Sequence, residues 1–484
     1  MQTRLSTAAL RVARNRRLLR LLLLCLLISS FCIASVWMVS GSSYDQVSER
    51  RMLVQKTAVT ESATDEQKRP ATESVATSTA NPPSTSTSSP STSTSTTTTT
   101  TTTAAPTTTA TTSSPTTTRP VQIPAHLRDL FAVKELKLVA LDPIILKCVT
   151  SGNCMSVTAA ASVQVGTFLK NTEELKTVLN KHLTATGWKI DVICPHAAVI
   201  TKHYWRGFDK NVAVSVINDD PEKHYYKIEQ EDNAEIKERA FDRFNTTELH
   251  GLSVPSDIDR FELWWRNGQF IHCNATLAEK FVANSSIITP EHIGNLKVFT
   301  DLLLASGQIP SLAFGTLLGW YRNCGVIPYT TDIDVAVKVA EYQDDFMESL
   351  KTKTDFRLLR YIGTKEYGLE ITVKIPGTIK DAYVDVFYLF PHNSTYDWAP
   401  TTYGKSSGWL RLKTLVPKIE ELCTGDVLGF LFFVPCNFLD VIVTSYGQTD
   451  WLEPQESYSY TGHDRLTFRD GNWNETLDDV IQHF

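Results

Sequence analysis

At 484 residues the chain exceeds the ~100–200 residues of one typical domain, so more than one folded unit is expected. With 47 basic against 53 acidic residues, the net charge of -6 gives no reason to expect a nucleic-acid partner. The distribution of charge says more: Arg4, Arg11, Arg14, Arg16, Arg17 and Arg20 all precede the first acid, Asp45.

Residues 21–39, "LLLLCLLISSFCIASVWMV", carry no charge and no proline. A helix of ~19 residues at 1.5 Å rise spans most of a ~30 Å hydrocarbon layer. The run is longer than a signal-peptide core and ends near Trp37, so a retained transmembrane signal anchor is expected over a cleaved signal peptide. The arginines before it put residues 1–20 in the cytosol and the rest in the lumen, a type II orientation. Residues 40–120 form a predicted luminal stalk. From about residue 57 it is mostly Ser, Thr, Pro and Ala, with an unbroken threonine run over 96–103, too poor in apolar surface to fold and suited to O-glycosylation.

Five N-x-Ser/Thr sequons, at Asn245, Asn274, Asn284, Asn393 and Asn474, agree with a luminal body. Cys25 and Cys32 fall in the span; Cys148, Cys154, Cys194, Cys273, Cys324, Cys423 and Cys436 fall beyond it. An oxidising lumen favours disulfides, and seven is odd, so one cysteine is expected free or paired between chains. Cys148/Cys154 and Cys423/Cys436 are close in sequence, which does not by itself assign connectivity. No CxxC pair supports a zinc site.

From residue 121 short β-branched runs ("LKLVALDPIIL", "WKIDVICPHAAVI", "NVAVSVI", "YKIEQE") alternate with helical stretches such as "VGTFLKNTEELKTVLNKHL". The fold class is therefore α/β or α+β. A smaller domain is drawn over 121–288 and a second over 289–484. The second opens on "TPEHIGNLKVFTDLLLASG": a Thr cap, a Pro at the first helical position, an early Glu, a terminating Gly307, and Ile293, Leu296, Phe299, Leu303 and Leu304 near helical spacing.

The chemistry centres on "YTTDIDVAV". In a strand, residues i and i+2 share a face, so Asp332 and Asp334 point one way while Ile333, Val335 and Val337 enter a core. Two adjacent carboxylates repel unless a cation sits between them. Upstream, in "FGTLLGWYR", Gly315 and Thr316 open a helix after strand-like "SLAF", where free N–H groups favour a phosphate. Downstream, Asp385 in "DAYVDVFYLF" stands alone in an aromatic and β-branched run. Three converging aspartates could hold two metals and take a proton from an attacking hydroxyl. Trp409 to Lys413 ("WLRLK") reads as an amphipathic strand, and His272, His392 and His463 are isolated.

These residues resemble a known family. "FGTLLGWYRNCGVIPYTTDIDVAV", "VDVFYLF" and the closing "VPCNFLDVIVTSYGQTDWLEP", with Pro435, Tyr446, Gly447, Trp451 and Pro454, resemble the signatures of the fukutin and LicD family over about residues 289–454. Residues 121–289 resemble the fukutin N-terminal domain only loosely.

The resemblance implies a nucleotidyltransferase-like fold and transfer of a phosphorylated alcohol from a CDP-activated donor: phosphocholine in LicD proteins, ribitol 5-phosphate onto a glycoprotein glycan in fukutin. It implies Gly315 and Thr316 at donor phosphate, Arg322 neutralising phosphate, and Asp332, Asp334 and Asp385 holding a divalent cation (Mg²⁺ or Mn²⁺), with Asp385 also the base. It further implies a Golgi or ER membrane location and association with related transferases or a second copy. LicD proteins usually carry further acids where this chain has Thr330 and Thr331, which bears on metal count and affinity. Two rivals stay open: a D-x-D glycosyltransferase using a nucleotide sugar, and a non-catalytic glycan-binding or scaffold partner.

Overall fold

The computed structural model describes residues 121–484 except 184–186, 205–208, 233–234, 282–284, 353–354, 406–407, 455–465 and 474–480. The expected cytoplasmic tail, membrane span and stalk lie outside the described residues, as do Asn284, Asn474 and His463. Among the described residues no helix is long and apolar enough to cross a membrane.

The fold is mixed α/β, and its buried apolar side chains form two large clusters. The first belongs mainly to the N-terminal part. Its five-stranded sheet runs in the order Leu138–Ala140, Ser162–Thr167, Lys210–Val216, Ala197–Lys202, Trp188–Cys194. Two segments depart from the sequence expectation. "LKLVALDPIIL" is strand only over Leu138–Ala140. Its "PIIL" opens the helix Pro143–Ser151, because Asp142 caps it by accepting from the Ile144 N–H (3.0 Å) and Pro143 sits at the first helical position. In "VGTFLKNTEELKTVLNKHL" the helix is only Thr172–His182: Asn171 caps it through the Glu174 N–H, and the residues before it end the strand Ser162–Thr167.

The second cluster is the core of the C-terminal part. The helix Pro290–Ala305 carries the expected Thr289 cap, reinforced by His292, whose Nδ1 accepts from the Thr289 N–H at 3.0 Å. Ile293, Leu296, Phe299 and Leu303 are fully buried in this core, whereas Leu304 packs on the first. Behind the helix lies a nine-stranded sheet. Its main path is Thr467–Asn472, Gly408–Pro417, Tyr396–Lys405, Ala382–Pro391, Tyr367–Ile375, Arg357–Thr364, Ile481–His483; Asp332–Lys338 pairs alongside Ala382–Pro391 and carries Ser311–Leu312. "WLRLK" lies in the strand Gly408–Pro417.

The two cores are stitched together by the hairpin Leu422–Val427 and Phe430–Pro435. Strand alternation sends Leu431 and Phe433 into the first core and Phe432 and Val434 into the second. Phe433 stacks on Trp264 with ring centroids 4.2 Å apart. A half-buried ion cluster adds to this: Lys297 Nζ lies 2.9 Å from Asp242, and Arg260 bonds both Asp242 (2.6 Å) and Asp301 (2.8 Å).

Candidate active site

The strand Asp332–Lys338 runs parallel to Ala382–Pro391, with Asp334 the register partner of Asp385. Register partners on neighbouring strands point to the same face. Ile333, Val335 and Val337 are buried on the opposite face, so apolar packing fixes the register and thereby the acids. One carboxylate oxygen from each of Asp332, Asp334 and Asp385 lies within 4.8 Å of the others. The structure thus brings together three acids from two separate segments.

The helix Phe314–Asn323 aims its first turn at this cluster. Ser311–Leu312 pairs antiparallel with Ala336 and Val335, and the chain turns sharply at Phe314, whose φ of 38° is left-handed. Such a conformation in a non-glycine residue costs on the order of 1–3 kcal/mol and persists only where the surroundings impose it. Here the Phe314 ring sits edge-on against Phe387, with centroids 4.9 Å apart. The turn directs the Gly315 N–H onto Asp334 Oδ2 at 3.0 Å. A Cβ at Gly315 would lie 3.3 Å from that same oxygen, so glycine permits the close approach.

Thr316 has a different place from a phosphate-facing one. It is buried and absent from the cavity wall, and its Oγ1 accepts from the Asp334 N–H at 2.7 Å. It latches the acidic strand to the helix.

Arg322 is likewise held. It is 2% exposed; Nη1 donates to the Trp451 carbonyl at 3.0 Å and Nε to Asn323 Oδ1 at 3.0 Å. Its guanidinium also lies over Phe281, 5.6 Å from the ring centroid. It reaches the edge of the cavity, but Nη1 is held by the closing segment and Nε by Asn323, and burial lowers its pKa.

Two charged residues that sequence reasoning missed stand beside the aspartates. Glu370 and Arg360 lie on the next two strands; Arg360 Nη2 is 3.0 Å from Glu370 Oε1 and 3.7 Å from Asp385 Oδ1. Thr372, the cross-strand partner of both Asp385 and Arg360, donates its hydroxyl to Asp385 Oδ1. Glu370 had a signal like that of Asp385, an acid inside the alternating "YGLEITVKI". Arg360 had none, because arginine is ordinary in a sheet.

Burial and mutual repulsion dominate the electrostatics. Burial, then Asp332 and Asp385, pushes the Asp334 pKa well above the usual carboxylate range. Burial raises Asp385 too, against the pull of Thr372 and Arg360. Glu370 is pushed up to about 8 by burial and then by Asp385, with Arg360 opposing. Buried like charges of this kind are tolerated by holding protons or a cation.

The acids line a cavity of about 670 Å³, large enough for a small-molecule ligand. Its other walls include Phe314 from the helix, Tyr329, Thr330 and Thr331 from the acidic segment, Thr401, Thr402 and Thr414 from the sheet, and Tyr446 and Trp451 from the closing segment.

Away from the cavity, Cys148–Cys154, Cys273–Cys324 and Cys423–Cys436 form disulfides, leaving Cys194 as the free cysteine among the described residues. Cys324 caps the helix Phe314–Asn323, so its bridge anchors the far end of the element that touches Asp334. Asn245 and Asn393 are exposed; Asn274 is half-buried and caps a short helix. His272 pairs with Glu238 at 2.6 Å and is not part of the cavity lining.

Comparison with known proteins places this geometry. Residues 311–437 match the family model described as LicD/FKTN/FKRP, nucleotidyltransferase domain. An uncharacterized Caenorhabditis elegans protein is 26% identical over 352 residues, covering 67% of this chain and 86% of the relative. Another is 28% identical over 279 residues, covering 56% of this chain and 70% of the relative. The human ribitol-5-phosphate transferase FKTN is 28% identical over 256 residues, covering 50% of this chain and 54% of the relative. The match therefore spans about half the length of the human transferase.

Proposed function

We propose that this chain, which belongs to the fukutin/LicD family through its domain at residues 311–437, is a transferase that moves a phosphorylated alditol, ribitol 5-phosphate or a close analogue, from a CDP-activated donor to a hydroxyl of a protein-linked glycan. The observation that carries the reading is the convergence of Asp332, Asp334 and Asp385 on one face of the sheet, at the wall of the cavity.

The donor set fits a hard divalent cation. Three carboxylate oxygens are drawn together, and burial with mutual repulsion raises the pKa of Asp334 and Asp385. Oxygen ligands of this kind suit Mg²⁺ or Mn²⁺ held together with substrate phosphates. When bound, the cation supplies charge neutralisation for phosphate oxygens.

The protein's own residues do the rest. The Gly315 N–H and the Thr316 latch hold Asp334 in place. Asp385 takes the proton of the acceptor hydroxyl as its oxygen bonds to the phosphorus bearing the alditol. The bond from that phosphorus to the bridging oxygen breaks, and its electron pair leaves with CMP. In-line positioning and charge neutralisation are the main requirements of such a transfer.

The protein is expected to act from the lumen of the Golgi or ER, tethered through residues 21–39. Release of CMP from a panel of CDP-alcohols, with Mg²⁺ or Mn²⁺ and then with EDTA, tests the reaction. Activity with UDP- or GDP-sugars instead would favour a D-x-D glycosyltransferase. Calorimetry that finds no joint binding of metal and CDP would favour a scaffold.

A further inference from the structure

We infer that Arg360, held by Glu370, is the protein's own cation for the donor phosphate; the inference rests on the CDP-donor reading above.

The charge balance of the cavity requires such a group. Its described wall carries six carboxylates, those of Asp332, Asp334, Glu370, Asp385, Asp450 and Glu453, against two guanidinium groups, those of Arg322 and Arg360. A pyrophosphate entering this space adds further negative charge. A cation held by Asp332, Asp334 and Asp385 would neutralise one side of it, and the remaining oxygens would need a donor from the protein. Arg322 is poorly placed for that. It is 2% exposed, and its Nη1 and Nε are committed to the Trp451 carbonyl and Asn323.

Arg360 has the opposite disposition. Its side chain is 37% exposed and lines the cavity. Its Nε is buried without a hydrogen-bond partner among the described residues. One amino group, Nη2, is fixed by Glu370 at 3.0 Å and lies 3.7 Å from Asp385 Oδ1. A guanidinium has five N–H donors in a planar fork, so one anchored nitrogen orients the others.

Register explains why the fork lies beside the acids. Asp334 pairs with Asp385, Asp385 with Thr372, and Thr372 with Arg360, giving one row across four strands. The metal-type acids stand at one end of the row, and the arginine reaches back from the other. A phosphate held at the aspartates therefore lies within reach of the guanidinium. Glu370, 6% exposed, is a positioning residue: its carboxylate aims the fork from beneath.

This also gives Glu370 a reason to exist. A buried carboxylate beside three others is unfavourable, and an apolar residue would pack there more readily. Its contact with Arg360 accounts for it as the partner that keeps a phosphate-directed arginine in one rotamer.

In the transfer, Arg360 touches oxygens of the donor phosphates while the acceptor oxygen bonds to phosphorus, its proton passes to Asp385, and the electron pair of the broken bond leaves on CMP. Arg360 neither gives nor takes a proton.

Calorimetric binding of CDP and of cytidine to the full-length chain, in Mn²⁺, tests the assignment. Arg360→Ala should weaken CDP at least about tenfold and leave cytidine unchanged; Arg360→Lys, which keeps charge without the fork, should recover only part of the loss. Because Arg360→Ala leaves Glu370 buried without its partner, the paired variant Arg360→Met with Glu370→Gln is measured beside it. It should show the same selective loss of CDP at a Tm no lower than that of the wild type. For Glu370 alone, Glu370→Gln should weaken CDP and not cytidine, since a purely structural carboxylate has no reason to distinguish the two. Unchanged CDP binding in the Arg360 variants, or an equal loss for CDP and cytidine, overturns the assignment. A wild-type chain that binds no CDP overturns the donor reading itself, and is told apart because it fails before any substitution.

Discussion

Asp334 and Asp385 are cross-strand partners on adjacent parallel strands, and the carboxylate of Asp334 is met end-on by the Gly315 N–H at 3.0 Å. One acid is thus fixed from two sides, by strand pairing and by the first turn of a helix.

Removing the carboxylates should separate activity from stability. Asp332→Ala with Asp334→Ala should abolish metal-dependent CMP release, a loss on the order of 1000-fold or more. Asp334→Asn alone should raise Tm in EDTA, because it relieves repulsion between buried acids whose pKa is already pushed up. Unchanged CMP release in the double variant would refute the assignment of these acids.

Metal-free protein should lose stability as pH rises. Glu370 ordinarily titrates near 4.5 and is pushed up to about 8 in the fold, with Asp334 and Asp385 shifted in the same direction. A group with a raised folded pKa binds its proton more tightly when folded. Its unfavourable contribution is therefore absent below the unfolded value, grows from about 4.5 upward, and is complete above about 8. Thermal melts in EDTA should show Tm falling over that window. Glu370→Gln should flatten the slope, and Mg²⁺ or Mn²⁺ should restore stability at the alkaline end. A slope identical in wild type and Glu370→Gln would count against Glu370 as a contributor.

Gly315→Ala should damage catalysis more than folding. The added Cβ would lie 3.3 Å from Asp334 Oδ2 and push the carboxylate out of line. That oxygen must give by only a few tenths of an ångström, so CMP release should fall by about three- to tenfold. Thr316→Val removes the acceptor of the buried Asp334 N–H and should cost about 1–3 kcal/mol. Denaturant melts and steady-state kinetics on both variants check the contrast, which is lost if Gly315→Ala melts earlier than Thr316→Val.

Opening Cys273–Cys324 should loosen the same helix from its other end. The bridge closes a separation of 51 residues, worth roughly 4 kcal/mol in a chain-entropy picture. Cys273→Ala with Cys324→Ala should lower Tm and raise the KM for the donor, whereas Cys148→Ala with Cys154→Ala should leave KM unchanged. Equal effects on KM would show that the link between bridge and site is not specific.

The sequence spoke clearly wherever a local rule had one answer. Thr289 before Pro290 and Glu291 carries a complete local helix-start signature, and alternation in "TTDIDVAV" puts Asp332 and Asp334 on one face against Ile333 and Val335. The lone acid in "DAYVDVFYLF" marked Asp385 for the same reason, and reading "YGLEITVKI" as closely would have marked Glu370. Where two local rules competed, the apolar run misled: the Asp142 cap turned "PIIL" into a helix.

What a group faces was not legible, because that is a property of distant segments meeting. The hydroxyl of Thr316 and the guanidinium of Arg322 resembled phosphate contacts in the linear chain. Tertiary packing turned the first under the acidic strand and buried the second against the Trp451 carbonyl and Asn323. It gave Arg360, silent in the sequence, a place beside Asp385. The chain by itself determined its punctuation, the sidedness of its strands and its acid-bearing segments, since those depend on residues a few positions apart. Only the folded sheet decided which charges meet, since its pairing brings together side chains that sequence spacing leaves unrelated.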